Sequence, residues 1–231
     1  MLARSSKIRG LLVLPWLDDQ HRERFAFREP WSDPDGTLAL NKEQRDHFGR
    51  WARPSEFMRG EPKMIFLVSA LTITQTIITD CSFVSSLVIA AAHERRFRKQ
   101  LITNIIYPQD RKGQPIYNPA GKYVVKLHAN GVERKVVVDD RIPLARDGQP
   151  MCSHSTHAEE LWVTIIEKAR VAIGAAHPPY LQPHHTLPSS HPSLILAPYM
   201  RGPTRLNSTC LSASGATIRH GCTNILERSQ G

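Results

Sequence analysis

Gln75-Thr-Ile-Ile-Thr-Asp80-Cys81-Ser82-Phe83-Val84 is the stretch on which the reading of this chain turns. An acidic residue precedes Cys81, an apolar run follows it, and a glutamine lies six positions upstream. The continuation CSFVSSLVIAAAHERR (Cys81–Arg96) is apolar and alanine-rich, then polar and basic, the pattern of a helix with cations at its carboxyl end. A thiol at the amino end of such a helix meets unpaired N–H groups and the positive end of the dipole, which favour the thiolate. An oxyanion formed by attack of that thiolate on a carbonyl needs a fixed donor, and a glutamine amide can supply one. Cys81 and Gln75 are therefore the candidate catalytic residues, as nucleophile and oxyanion donor. On this stretch alone, a buried cysteine used as a small hydrophobe is the preferred alternative.

The flanking blocks reverse that preference. They are Arg24-Phe-Ala-Phe27 and Asp33-Pro-Asp-Gly36 upstream, then His93-Glu-Arg-Arg-Phe97 and Leu101-Ile-Thr-Asn-Ile-Ile-Tyr-Pro108. Tyr117-Asn-Pro-Ala-Gly-Lys-Tyr-Val-Val-Lys-Leu127, Arg134-Lys-Val-Val-Val-Asp-Asp140, Glu160-Leu-Trp162 and Glu167-Lys-Ala169 follow in order. Together they resemble the catalytic core of calpains, in particular the PalB-like branch, over roughly residues 7–169. The resemblance implies an α+β, papain-like protease core, specifically its first subdomain, with a central nucleophile helix and a β-hairpin region beside it. It implies a cysteine endopeptidase acting on protein substrates, with Cys81 as nucleophile, Gln75 in the oxyanion hole and Asp80 as a helix-start residue.

Calpains continue into a second half-domain that holds the catalytic histidine and asparagine, and nothing after Ala169 resembles it. Clusters such as Pro183-His-His-Thr-Leu-Pro188 and Ser212-Ala-Ser-Gly215 mark residues 173–231 as a low-complexity, disordered tail with too little apolar surface to offset ordering. The chain thus divides into a loop-rich approach at 1–62, a nucleophile-bearing subdomain at 63–172, and that tail. Truncation before the histidine half and inactivity of the isolated chain are the expectation. A non-catalytic interaction or regulatory fragment is the alternative. The sequence opens at the start of the core, so the MIT helices that carry relatives to endosomal complexes are not expected, nor are those partners.

The net charge of +9 comes from bases interleaved with acids, and no nucleic-acid module is present, so no nucleic-acid partner is expected. Four scattered cysteines do not form a disulfide framework and point to a reducing, cytoplasmic setting. The apolar stretch Ile65–Ala92 carries Gln75 and Asp80 near its centre, which argues against a transmembrane span. Asp33-Pro-Asp-Gly36 is read as a turn. Cys152-Ser-His154-Ser-Thr-His157 lacks the spacing of a zinc module. Calcium-dependent calpains place a calcium loop before the nucleophile, but Met64–Thr74 has no acidic side chain and Glu160 alone cannot hold a hard cation. No cofactor is expected.

Pattern predicts a strand over Leu101–Tyr107 and a hairpin of Lys122–Leu127 with Val132–Val138 about Ala129-Asn130-Gly131, ended by Asp139, Asp140 and Pro143. Thr156-His-Ala-Glu159 predicts a capping box opening the next helix. Leu161, Trp162, Ile165, Ile166 and Ala169 form that helix's apolar face, with Trp162 in the core rather than against substrate.

Overall fold

A computed structural model describes residues 6–8, 11–17, 23–78, 81–129 and 131–174. The expected irregular tail lies outside the described residues, apart from Ile173 and Gly174, which finish a helix.

The hairpin forms as its sequence dictates. Strands β6 (Lys122–Ala129) and β7 (Val132–Asp139) pair antiparallel from Lys122↔Asp139 to Ala129↔Val132, with Gly131 in the turn. Gly131 sits at φ +75°, a backbone region that costs glycine little and other residues more. A short strand β5 (Ile106–Tyr107) adds to the outer edge of β6, giving the order β5-β6-β7. Tyr123, Val124, Val125 and Leu127 are all buried, so the central strand is covered on both faces and does not alternate.

Helix α3 (Cys81–Phe97) buries Phe83, Val84, Leu87, Ala90 and Ala91, one face at helical spacing. Cys81, Ser82, Ser85 and Ile89 are left exposed on the opposite side. Helix α4 (Trp162–Gly174) packs on β6 and β7 and is buried from Trp162 to Ala169, Thr164, Glu167 and Lys168 included. The expected apolar face is therefore real, with Trp162 fully enclosed, and the polar residues between its members are buried as well. They satisfy themselves. The Lys168 ammonium donates to the carbonyls of Asp139 (2.8 Å) and Arg141 (2.7 Å) and pairs with the Asp139 carboxylate. Burial pushes the Asp139 carboxyl upward, but Lys168, the Asp33 N–H and Arg141 outweigh it, and the net direction is downward.

Before residue 62 the chain holds β1 (Lys7–Ile8), β2 (Leu11–Leu12), α1 (Lys42–His47), β3 (Phe48–Ala52) and the single turn α2 (Pro54–Phe57). Asp33 to Gly36 is a turn, closed by the Gly36 N–H on the Asp33 carbonyl at 3.0 Å. The remaining strands are β4 (Ile73–Thr74), β8 (Ile142–Ala145) and β9 (His154–Ser155), in the two-stranded pairs β3-β8 and β4-β9. The α+β class expected from the sequence is the class observed.

Two local expectations need correction. Only the last two residues of Leu101–Tyr107 are strand. The Glu94 carboxylate takes the N–H groups of Leu101 and Thr103 and the Thr103 hydroxyl, which winds Thr103–Ile105 into a 3₁₀ turn. The second hairpin strand ends at Asp139, as expected, and Pro143 then lies inside β8, opposite Trp51, in a two-stranded sheet whose edges leave room for a residue without an N–H. The Thr156 capping box does not form. The Thr156 N–H is spent on the Thr72 carbonyl at 2.7 Å, a turn closes from His157 to Glu160, and the helix starts only at Trp162.

Candidate active site

Cys81 is the first residue of α3 and is exposed, so its thiol sits where the helix leaves backbone N–H groups without intrahelical partners. Thr79 and Asp80 are outside the described residues, and the helix-start role expected of Asp80 falls there. Gln75 is exposed on the segment leading to this helix.

That segment is tied down at nearly every residue. Ile73 and Thr74 pair with Ser155 and His154. The Thr76 hydroxyl donates to the Met151 carbonyl. The Gln44 side-chain amide donates to the carbonyls of Ile77 (3.1 Å) and Ile78 (3.4 Å). Gln44 can do this because α1 opens with a capping box: Asn41 Oδ1 accepts the Gln44 N–H, and Gln44 Oε1 accepts the Asn41 N–H. One oxygen fixes the side chain and leaves its NH₂ aimed at the loop. Gln75 therefore projects from a braced backbone, the arrangement an oxyanion donor requires if it is not to reorganise during reaction. Gln44, Thr76 and Met151 were not found by sequence reasoning; Asn41-Lys-Glu-Gln44, a capping-box pattern, was the available signal.

Upstream, residues 64–67 are held from α4's approach. Glu160 is buried, and its Oε1 accepts the N–H groups of Phe66 and Leu67 at 2.7 Å each. Its Oε2 is buried with no partner among the described residues. Cys152 is fully enclosed and faces the Glu167 carboxylate; burial first, and that charge second, push its thiol up. The two described thiols thus occupy opposite environments.

The described histidines do not assemble with Cys81. His154 Nδ1 lies 3.2 Å from the Cys152 carbonyl, and the His157 ring packs on Phe66 with centroids 5.3 Å apart. Both line a cavity of about 650 Å³ shared with Phe57, Arg59 and Glu160, and Cys81 is not in its wall. His93 stacks on Phe97 at 4.6 Å, twelve residues along α3 and so roughly 18 Å from Cys81. Among the described residues no hydrogen bond joins an imidazole to Cys81, no cluster of three or more His, Cys, Asp or Glu could hold a metal, and no helix is long and apolar enough to cross a membrane.

Comparison with known proteins agrees with this geometry. The profile described as "Calpain family cysteine protease" matches residues 32–177. Human "Calpain-7" is 50% identical over 173 residues, 75% of this chain and 21% of that protein, and mouse "Calpain-7" matches to the same extent. "Calpain-like protease palB/RIM13" of Aspergillus oryzae is 30% identical over 187 residues, 73% of this chain and 21% of that protein. The chain spans about a fifth of the length of these relatives. With an exposed cysteine opening a helix, a braced glutamine before it and a family match over more than half its residues, the chain belongs to the calpain family of cysteine proteases.

Proposed function

We propose that this chain carries the nucleophile half of a calpain-type cysteine endopeptidase, with Cys81 attacking the peptide carbonyl and the Gln75 amide stabilising the oxyanion. The observation that supports this most directly is the exposed Cys81 at the first position of a 17-residue helix, six residues after a glutamine held on both sides. Protein substrates follow from the family. A thiol protease also needs an imidazole to take the thiol proton and return it to the leaving amine. No described histidine is placed for that, which supports the further proposal that the chain alone does not turn over.

Calcium is not part of the proposal. The residues around the loop before the nucleophile fit a hard cation poorly. Such ions take about six to eight oxygens, whereas among the described residues the carboxylate bonded to the loop is that of Glu160, with one oxygen already committed to two N–H groups. A reducing, cytoplasmic setting is proposed with it, supported by the unpaired thiol of Cys152 in the core.

A second reading, as a non-catalytic interaction fragment, draws on Phe66, Leu71 and Ile77. These apolar side chains flank the site and are at least half exposed, an apolar surface that a complementary half-domain would cover. One assay tests the inactivity of the isolated chain, which both readings share. Casein or peptide hydrolysis by the recombinant chain, with and without calcium, should not exceed that of Cys81→Ala. Robust turnover lost in Cys81→Ala would refute the inactivity, and His154 and His157 would be the first histidines to substitute.

A further inference from the structure

Glu167 lies on α4, with 0% exposure, and the nucleophile scheme makes no use of it. A carboxylate so deep in a core is costly unless its oxygens are engaged. Here Oε2 accepts the Ser153 N–H at 2.6 Å and Oε1 accepts the Ser153 hydroxyl at 2.8 Å. One turn earlier on the same helix, the Thr164 hydroxyl donates to the Ser153 carbonyl at 2.9 Å. Every polar group of Ser153 is therefore bound by α4. Ser153 is also the midpoint of the strip that holds the glutamine segment. Two residues before it, the Met151 carbonyl receives the Thr76 hydroxyl. Just after it, His154 and Ser155 pair with Thr74 and Ile73, and Thr156 continues onto Thr72. The contacts to Thr74 and Thr76 lie on either side of Gln75.

We propose that Glu167 is a positioning residue for Gln75, fixing the strip 151–156 to helix α4 so that the strip in turn fixes the backbone of residues 73–76. The inference rests on the reading of Gln75 as oxyanion donor, but its mechanical content does not. The carboxylate touches neither the thiol nor any reacting atom. It acts through Ser153, and its effect is local: loss of the Glu167–Ser153 bonds frees the strip, and the Gln75 segment loses the surface it is registered against. The β6–β7 hairpin also packs on α4, but its strands are held to each other by their own ladder.

The test is amide hydrogen exchange on the full chain, residue-resolved, with thermal midpoints measured alongside. Glu167→Leu keeps the volume and removes both acceptors. It should raise exchange at residues 73–78 by at least about tenfold, beyond any change in the hairpin 122–139. Glu167→Gln retains an oxygen for the Ser153 N–H and should stay within about threefold of the parent. Val138→Ala, a buried hairpin truncation, is the control for general destabilisation: it should loosen residues 122–139 without selective loosening of 73–78. If Glu167→Leu loosens 73–78 no more than the hairpin, or no more than Val138→Ala does, the proposal is overturned. Should Glu167→Leu fail to fold, Ser153→Ala replaces it. A selective rise at 73–78 then supports the proposal and its absence overturns it. Iodoacetamide labelling in the same samples keeps the underlying reading separate. A Cys81 no more reactive than a free thiol would undercut the nucleophile assignment and leave the exchange result intact.

Discussion

Lys168 is enclosed and bound at three points. It is 1% exposed, paired with Asp139 and bonded to two backbone carbonyls that mark the end of β7. Replacing it with methionine keeps the length of the stem but strands the Asp139 carboxylate and two carbonyls without their cation. Breaking a buried pair from one side costs about 3–5 kcal/mol, so Lys168→Met should lower the urea midpoint sharply or prevent folding. A cost under about 1 kcal/mol would mean that Arg141 and the Asp33 N–H carry Asp139 by themselves. The basic character of this lysine gave no warning of its burial. Residue by residue, the spacing in the sequence singled out Cys81 and Gln75 as candidates, and the structure puts Cys81 at the exposed start of α3, but the buried polar partners Glu160, Glu167 and Lys168 looked like surface charges. Their solvent is excluded by elements far away in the chain, which no local pattern encodes.

At the scale of elements, helix α3 and the hairpin were legible because each is specified locally: apolar residues at helical spacing in one, and β-rich runs around Asn130-Gly131 in the other. The elements that sequence reasoning missed or misplaced are those settled by partners outside their own stretch. Strand β8 exists because β3 lies beside it, and the 3₁₀ turn after α3 exists because Glu94 reaches over it. How α3 ends is itself testable. Arg98, the residue after the helix, sits at φ 54°, a left-handed conformation that strains a side-chain-bearing residue. Arg98 is exposed, so little is lost with its side chain. Arg98→Gly should stabilise the protein by about 0.5–1 kcal/mol, seen as a raised denaturant midpoint at constant slope. A loss of stability would show that Arg98 makes an interaction more valuable than the relief of that strain.

For the whole molecule, the buried acids set how stability depends on pH. Burial pushes the Glu167 carboxyl from 4.5 up to about 7, only partly offset by the bonds from Ser153 and Cys152. A group raised on folding favours the folded state fully below its unfolded value, and that contribution is lost as pH rises through about 7. Its size is on the order of 3 kcal/mol. Asp33 and Asp140, both also raised by burial, act in the same sense. Asp139 is lowered and acts oppositely, losing its contribution as pH falls below the ordinary carboxylate range. The groups bonded to Glu167 are the Cys152 thiol and the N–H and hydroxyl of Ser153, all on the strip. The thermal midpoint should therefore peak near about pH 5 and decline toward pH 8, and Glu167→Gln should flatten that decline. A midpoint that climbs steadily from pH 5 to 8 would contradict the assignment.

The opposed settings of Cys81 and Cys152 turn the protein into its own reporter. The first thiol opens a helix at the surface, while the second is sealed beside Glu167 with its proton held firmly. A soluble alkylating reagent, its labelling followed separately at these two of the four cysteines, therefore reads two clocks in one sample. The fast one times the chemistry of an accessible sulfur. The slow one advances only when the strip around Ser153 lifts away from α4, so it counts breathing motions of the floor beneath the site without any substrate being present.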